Sequence, residues 1–201
     1  MRKIIALLAA LTLAVSLTAC GGAQTGSAAP AEETDAPAEN STPFAGKNVS
    51  VMTPYLSSIT TNQMVGYLQD DLTAQGAEVN VIDTANDFSV LASRIEDVTA
   101  AGTDAIVLVS ADPTQLENQL REAMDAGIPV FGVDSGYIDG MQVNATSDNY
   151  QMGQLIVNYL FNDLMGGKGT VVALTHRPHP GVVKRCEAFD ELLAAQPDIQ
   201  L

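Results

Sequence analysis

From Lys47 onward the apolar residues fall into two alternating rhythms. Short blocks rich in β-branched residues, Val49–Thr53, Val79–Ile82, Ala105–Val109 and Val130–Val133, read as strands. A weaker fifth block, Gln142–Ala145, belongs near a sheet edge, and Thr170–Leu174 reads as a sixth strand. Ala105–Val109 is apolar throughout, as expected of a parallel strand covered on both faces. Between the blocks the spacing becomes helical. Phe88, Leu91, Ile95 and Val98 form one stripe, and Leu116, Leu120 and Met124 another. Met152, Leu155 and Tyr159, with Ile156 and Leu160 alongside, form a third, and Val182, Cys186, Phe189 and Leu193 a fourth. Gly76, Gly102 and Gly127 each stand between a helix and the next strand, where a left-handed C-cap is expected. Asp112 before Pro113 is a helix-start signal. Strands alternating with helices of this length predict an α/β fold with a parallel, doubly wound, flavodoxin-like or Rossmann-like sheet.

The first 46 residues break this rhythm. Arg2 and Lys3 precede a 14-residue apolar run, Ile4–Leu17, shorter than the ~20 residues a membrane-spanning helix needs. The pattern reads as a secretory signal peptide over residues 1–19. The run ends in Leu17-Thr18-Ala19-Cys20 followed by Gly21-Gly22, which resembles the lipobox of bacterial lipoproteins and implies lipidation of Cys20. Residues 20–46 are rich in Ala, Gly, Ser, Thr, Pro and Glu, and read as a flexible linker behind that lipid anchor. The expected place of the protein is therefore the cell envelope, outside the cytoplasm and tied to a membrane.

Composition then narrows the function. The 201 residues carry a net charge of −15, and loss of Arg2 and Lys3 with the leader takes it to −17. With 9 basic against 24 acidic residues, the clustered Lys and Arg of a nucleic-acid surface are missing, and no nucleic-acid partner is expected. Two cysteines, Cys20 and Cys186, make no disulfide framework, and Cys186 falls on a core stripe. His176 and His179 lack the further ligands a metal site needs, so no metal is expected; a solvated loop or hydrogen bonding to a polar ligand are the other readings. Gly166-Gly167-Lys168-Gly169 has neither the spacing nor the following helix of a phosphate loop, and no cofactor is expected. No nucleophile–base set marks an enzyme.

In a doubly wound sheet, ligands bind beyond the carboxyl ends of the strands. That rule selects the loops Thr53–Thr61, Asp83–Asp87, Ser110–Pro113, Asp134–Tyr137, Ser147–Asn149 and Thr175–Gly181. The candidate ligand contacts they and the next helix supply are Tyr55, Ser57, Ser58, Asp112, Asp134, Ser135, His179 and Arg185. Asp134 suits vicinal hydroxyls or an ammonium group, or else it fixes the Ser135-Gly136 turn. Arg185 is off its helix's apolar stripe, free to reach the cleft or to pair with Glu187 or Asp190 on the surface. Tyr55 is a stacking surface or a packed loop anchor.

The combination Asp104-Ala105-Ile106-Val107-Leu108-Val109, Asp112-Pro113, Ala126-Gly127-Ile128-Pro129-Val130, Val133-Asp134 and Ser147-Asp148-Asn149 resembles the type I periplasmic sugar-binding proteins, the ribose/galactose-binding receptors of ABC transporters. The likeness runs from about Lys47 to Leu201. It implies two α/β lobes closing on a ligand, here an N-terminal lobe over 47–146 and the start of a second over 147–201. It implies ligand contact by Asp134 and by Arg185, and His179-Pro180 keeps the spacing to that arginine seen in the glucose/galactose branch. The sequence departs from the family at Tyr55-Leu56-Ser57-Ser58, where ribose binders have Asn-Pro-Phe-Phe, at Ser135 and at Gly181. The resemblance also implies roughly 100 or more further residues to complete the second lobe. The function implied is a monomeric, lipid-anchored receptor that binds a monosaccharide or similar small polar ligand between its lobes and delivers it to an ABC permease. The alternative is a ligand sensor for chemotaxis or signalling with the same fold.

Overall fold

The structure, a computed structural model, describes residues 42–201. The expected signal peptide, Cys20 and the linker up to residue 41 lie outside the described residues. Residues 42–46 form a turn, with the Phe44 N–H donating to Gln75 O at 3.1 Å and the Lys47 N–H to Phe44 O at 3.0 Å.

Five strands make the main sheet: β1 (Asn48–Thr53), β2 (Glu78–Asp83), β3 (Ala105–Val109), β4 (Val130–Val133) and β5 (Val143–Ala145). Their order is β2-β1-β3-β4-β5, every pair parallel, with β5 on the edge as its weak pattern predicts. Parallel neighbours need crossovers, supplied by α1 (Ile59–Ala74), α2 (Phe88–Ala100) and α3 (Glu117–Asp125). The three glycines read as C-caps have φ of 96°, 74° and 85°, which the left-handed ends of these helices require.

The two-residue alternation of the strands divides the core. Met52, Ile106, Leu108 and Val130 pack against Leu91, Ile95 and Val98 of α2 and Leu120 and Ala123 of α3. Val49, Val51, Val107 and Val109 point to the opposite face and meet Val65, Leu68 and Leu72 of α1. The predicted stripes of α2 and of Leu116, Leu120 and Met124 therefore face the core. The latter begins as a 3₁₀ turn, Pro113–Leu116, whose Asp112 carboxylate accepts the Thr114 N–H at 3.1 Å.

Beyond β5 the chain forms α4 (Asn149–Asn158), a π-helical turn over Tyr159–Leu164, β6 (Gly169–Thr170), α5 (Pro180–Ala194) and β7 (Ile199–Gln200). Two expectations need correction here. The strand expected over Thr170–Leu174 is only Gly169–Thr170, which pairs with Ile199–Gln200. Past the Val171 N–H, which donates to Gln200 O, residues 172–174 have no partner strand among the described residues, and Val172 and Leu174 are almost fully exposed. The stripe Met152-Leu155-Ile156-Tyr159 is also exposed, while Asn149, Gly153 and Val157 are buried. Small residues decide this. A Cβ on Gly153 would stand 2.9 Å from Arg185 Cα, so α4 turns its narrow face to α5 to let the backbones approach. Val157, Phe161 and Ile199, with Phe189 and Leu193, then form a separate small core. Cys186 is buried, as its stripe predicts.

Leu108 is fully buried in the central strand. Leu108→Ala is expected to lower the unfolding free energy by about 2–5 kcal/mol, read as a lower midpoint in urea denaturation.

Candidate functional site

In a parallel sheet ordered 2-1-3-4-5 the chain leaves β1 and β3 in opposite directions, and a crevice opens between their carboxyl ends. A concavity of about 400 Å³ lies there, lined by Tyr55, Ser57, Ser58, Thr60, Thr61, Asp134, His176, His179, Val182 and Arg185. This volume suits a small ligand. A larger groove of about 610 Å³, lined by Phe44, Leu68, Val107, Phe131 and Val143 among others, lies over the apolar sheet face and brings no comparable set of polar groups together.

The β1 side contributes hydroxyls and a helix end. Ser58 is the N-cap of α1, but its side chain makes no capping bond and instead meets the Thr60 hydroxyl at 3.1 Å. The first-turn N–H groups of α1, with their partial positive charge, thus remain available to a polar ligand. Thr61 is buried and shares a 3.1 Å hydrogen bond with the Ser110 hydroxyl, tying α1 to the end of β3. Tyr55 is buried, with its ring edge-on to Phe88 (6.2 Å between centroids) and His176 (5.6 Å), and tilted against His179 (6.1 Å). Burial, with a smaller push from the Asp112 charge, holds its hydroxyl protonated well past neutrality. These contacts pack the Tyr55 ring among aromatic neighbours at the wall of the concavity.

At the end of β4, Asp134 has φ of 47°. Aspartate tolerates this left-handed conformation better than most residues, and strained positions of this kind gather at functional sites. Its Oδ1 accepts from the Thr146 hydroxyl at 3.3 Å, and its Oδ2 lies 3.6 Å from His179 Nε2. His179 is the N-cap of α5: its Nδ1 accepts the Gly181 N–H at 3.1 Å. Accepting there requires the proton to sit on Nε2, so the N–H faces Asp134. At 3.6 Å the two groups do not make a full hydrogen bond, and each keeps capacity for a ligand. Burial pushes the His179 imidazole down, opposed by the Asp134 charge and reinforced by Arg185 and His176.

Arg185 stands one turn into α5. Its guanidinium donates to Asn149 Oδ1 and touches Met152 Sδ at 3.9 Å. Glu187 and Asp190, the expected surface partners, are taken by Lys184 and Arg177. Tyr55, Ser57, Ser58, Asp134, His179 and Arg185 therefore all line the concavity. Asp112 and Ser135 do not. The Asp112 carboxylate is engaged by the Thr114 N–H and hydroxyl and by Gln115 Nε2, and the buried Ser135 hydroxyl donates to Ala111 O at 2.5 Å. Thr60, Thr61 and Val182 were not among the expected contacts. The first-turn position of the two threonines beyond a strand end is the signal that could have found them. His176, read only alongside His179, is exposed at the rim. Among the described residues no three His, Cys, Asp or Glu side chains converge as a metal site, and no helix is long and apolar enough to cross a membrane.

A profile of the periplasmic binding protein domain matches residues 49–201. The chain belongs to this family. It is 28% identical over 203 residues to a xylitol-binding protein of Mycolicibacterium smegmatis, a match covering 99% of this chain and 53% of that protein. An ABC sugar transporter subunit from Rhodobacter sphaeroides superposes with a TM-score of 0.70 at 25% identity, over 78% of this chain and 55% of that one. An ABC transporter solute-binding protein from Agrobacterium vitis, bound with α-D-tagatopyranose, superposes with a TM-score of 0.65 at 26% identity, over 77% and 56%. The chain thus spans about half the length of these relatives. The type I periplasmic binding protein fold expected from the sequence is the fold found.

The His179 cap carries a pH prediction for this periplasmic binding protein domain. Its folded pKa lies below the ordinary 6.5, so the unfolded chain binds the extra proton first as pH falls. The His179 contribution to stability is complete above about pH 7.5 and is lost as pH drops through 6.5 toward the folded value. His179→Asn, whose amide oxygen can still cap α5, is expected to flatten that slope in urea unfolding measured from pH 8 to pH 5.

Proposed function

We propose that this chain is the ligand-binding body of an extracytoplasmic receptor that takes a monosaccharide or polyol and hands it to an ABC permease, without covalent chemistry or a cofactor. The convergence of Asp134, His179 Nε2–H and Arg185 with the hydroxyls of Ser57, Ser58 and Thr60 at the crevice between β1 and β3 carries this reading. A sugar hydroxyl is both donor and acceptor. One placed between Asp134 and His179 would donate to the carboxylate and accept from the imidazole, closing a gap that is too long for a direct bond. Arg185 adds a fixed donor fork, and the open end of α1 favours an electron-rich oxygen.

The relatives support the ligand class: the Mycolicibacterium protein is named for xylitol and the Agrobacterium protein holds a tagatopyranose. Delivery works by hinge closure. Contacts on the 47–146 side and on the 147–201 side act on one ligand, which stabilises the closed form that a permease recognises. The receptor works as a monomer, held to the membrane by lipid on Cys20.

Two experiments test the reading. Xylitol, D-tagatose, D-ribose and D-galactose are screened against the full-length protein by thermal shift. At a hundredfold excess over Kd a cognate ligand stabilises by about 2.7 kcal/mol, a shift of roughly 5–10 °C. Asp134→Ala is expected to abolish that shift and Arg185→Ala to reduce it, and unchanged shifts in both variants would remove the site assignment. Cys20→Ser is expected to move the protein from the membrane fraction to the soluble envelope fraction, whereas retention on the membrane would show that Cys20 is not the anchor.

A further inference from the structure

Asn149 is a buried polar residue at the point where the chain passes from the sheet into α4. It owes nothing to the end of its own helix. Asp148 caps α4 by accepting the Gln151 N–H at 2.9 Å, so the Asn149 amide is free for other work. Both ends of that amide are engaged. Its Nδ2 donates to Ser147 O at 3.1 Å and reaches the Thr146 hydroxyl at 3.5 Å, while its Oδ1 accepts from Arg185. Thr146 in turn donates to Asp134.

The first turn of α5 shuts the amide in from the other side. A Cβ on Gly181 would stand 2.9 Å from Asn149 Nδ2 and 3.1 Å from Oδ1, so only glycine leaves the amide its place. The donors to Ser147 and Thr146 settle which end of the amide is oxygen, and that oxygen faces the guanidinium. A long, flexible arginine is thereby given a single seat close to the pocket. Holding it there in advance removes ordering cost that a ligand would otherwise meet.

We propose that Asn149 is the positioning residue of the pocket, seating the Arg185 guanidinium beside His179 and, through Thr146, bracing Asp134. The inference rests on reading the Asp134–His179–Arg185 pocket as the ligand site. Asn149 does not itself touch ligand and acts through Arg185.

The test reads the position of Arg185 without any ligand. The seated guanidinium disfavours the protonated imidazole of His179. The His179 titration is followed by NMR in the full-length protein and in Arg185→Ala, Asn149→Ala and the double variant. With Asn149 present, Arg185→Ala is expected to raise the His179 pKa; with Asn149→Ala in place, it is expected to leave it unchanged. Asn149→Asp keeps an oxygen facing Arg185 and is expected to restore the Arg185 effect. If the alanine variant fails to fold by circular dichroism, Asn149→Ser, too short to reach the guanidinium, replaces it. An equal Arg185→Ala shift in both backgrounds, or no shift in either, overturns the proposal, because a merely structural asparagine would leave the arginine's effect intact.

A second arm measures xylitol and D-tagatose binding by calorimetry in the same variants. For a sugar that binds, Asn149→Ala is expected to lose tenfold or more in affinity, with the double variant no weaker than Arg185→Ala. A sugar that binds while the two losses simply multiply sinks the positioning role and leaves the receptor reading standing. Coupled titrations with no sugar bound leave the positioning role standing and remove the ligand class.

Discussion

A parallel strand must be followed by a crossover before the chain can add the next, and that single constraint organises this molecule. With β2, β1, β3, β4 and β5 all pointing the same way, every strand ends on one edge. The helices that follow begin at that edge, so their unpaired N–H groups gather there as well. Apolar side chains occupy both faces of the sheet, which leaves the strand-end loops as the place where polar chemistry can accumulate without cost to the core. The split between β1 and β3 then opens a crevice at that edge, where polar groups converge.

The chain beyond β5 meets this edge through a few specific contacts. The Tyr55 ring lies against both imidazoles, and Asp134 faces His179. The helix cap at His179 selects the imidazole tautomer, so a local structural bond decides the hydrogen-bonding character of a pocket group. The close approach of α4 and α5 at Gly153 has the same double character. It packs two helices, and it also brings Asn149 within reach of Arg185. Most surface ion pairs, such as Lys184–Glu187 and Arg177–Asp190, contribute little to stability. Here they engage Glu187 and Asp190, the two acids that the sequence offers Arg185 as surface partners.

Six of the eight expected ligand contacts line one concavity: Tyr55, Ser57, Ser58 and Asp134 follow β1 and β4, where the strand pattern places them, while His179 and Arg185 come from the cap and first turns of α5, beyond a strand shorter than its pattern suggests. Asp112 and Ser135 lie in strand-end loops yet turn to structural bonds. Whether a loop carboxylate or hydroxyl caps the local backbone or faces a cleft depends on where the next element starts, and loop sequence does not carry that. Asn149 was legible only as the end of the strand-end loop Ser147–Asn149; its partner, Arg185, is 36 residues away. The exposed stripe on α4 failed for a related reason. Periodicity marks which residues share a face, but the face that packs is chosen by how closely the neighbouring backbone can come.

By itself the sequence determined the order and kind of the elements from Val49 to Val133, the parallel sheet, the acidic charge and the loops that bear polar groups, since these depend on residue spacing and on short-range backbone chemistry. The tertiary structure alone decided which side chains meet: the Asp134–His179 gap, the Arg185–Asn149 seat and the buried face of α4. Those contacts join residues far apart in the chain, and their distances are set by how the elements pack rather than by any local pattern.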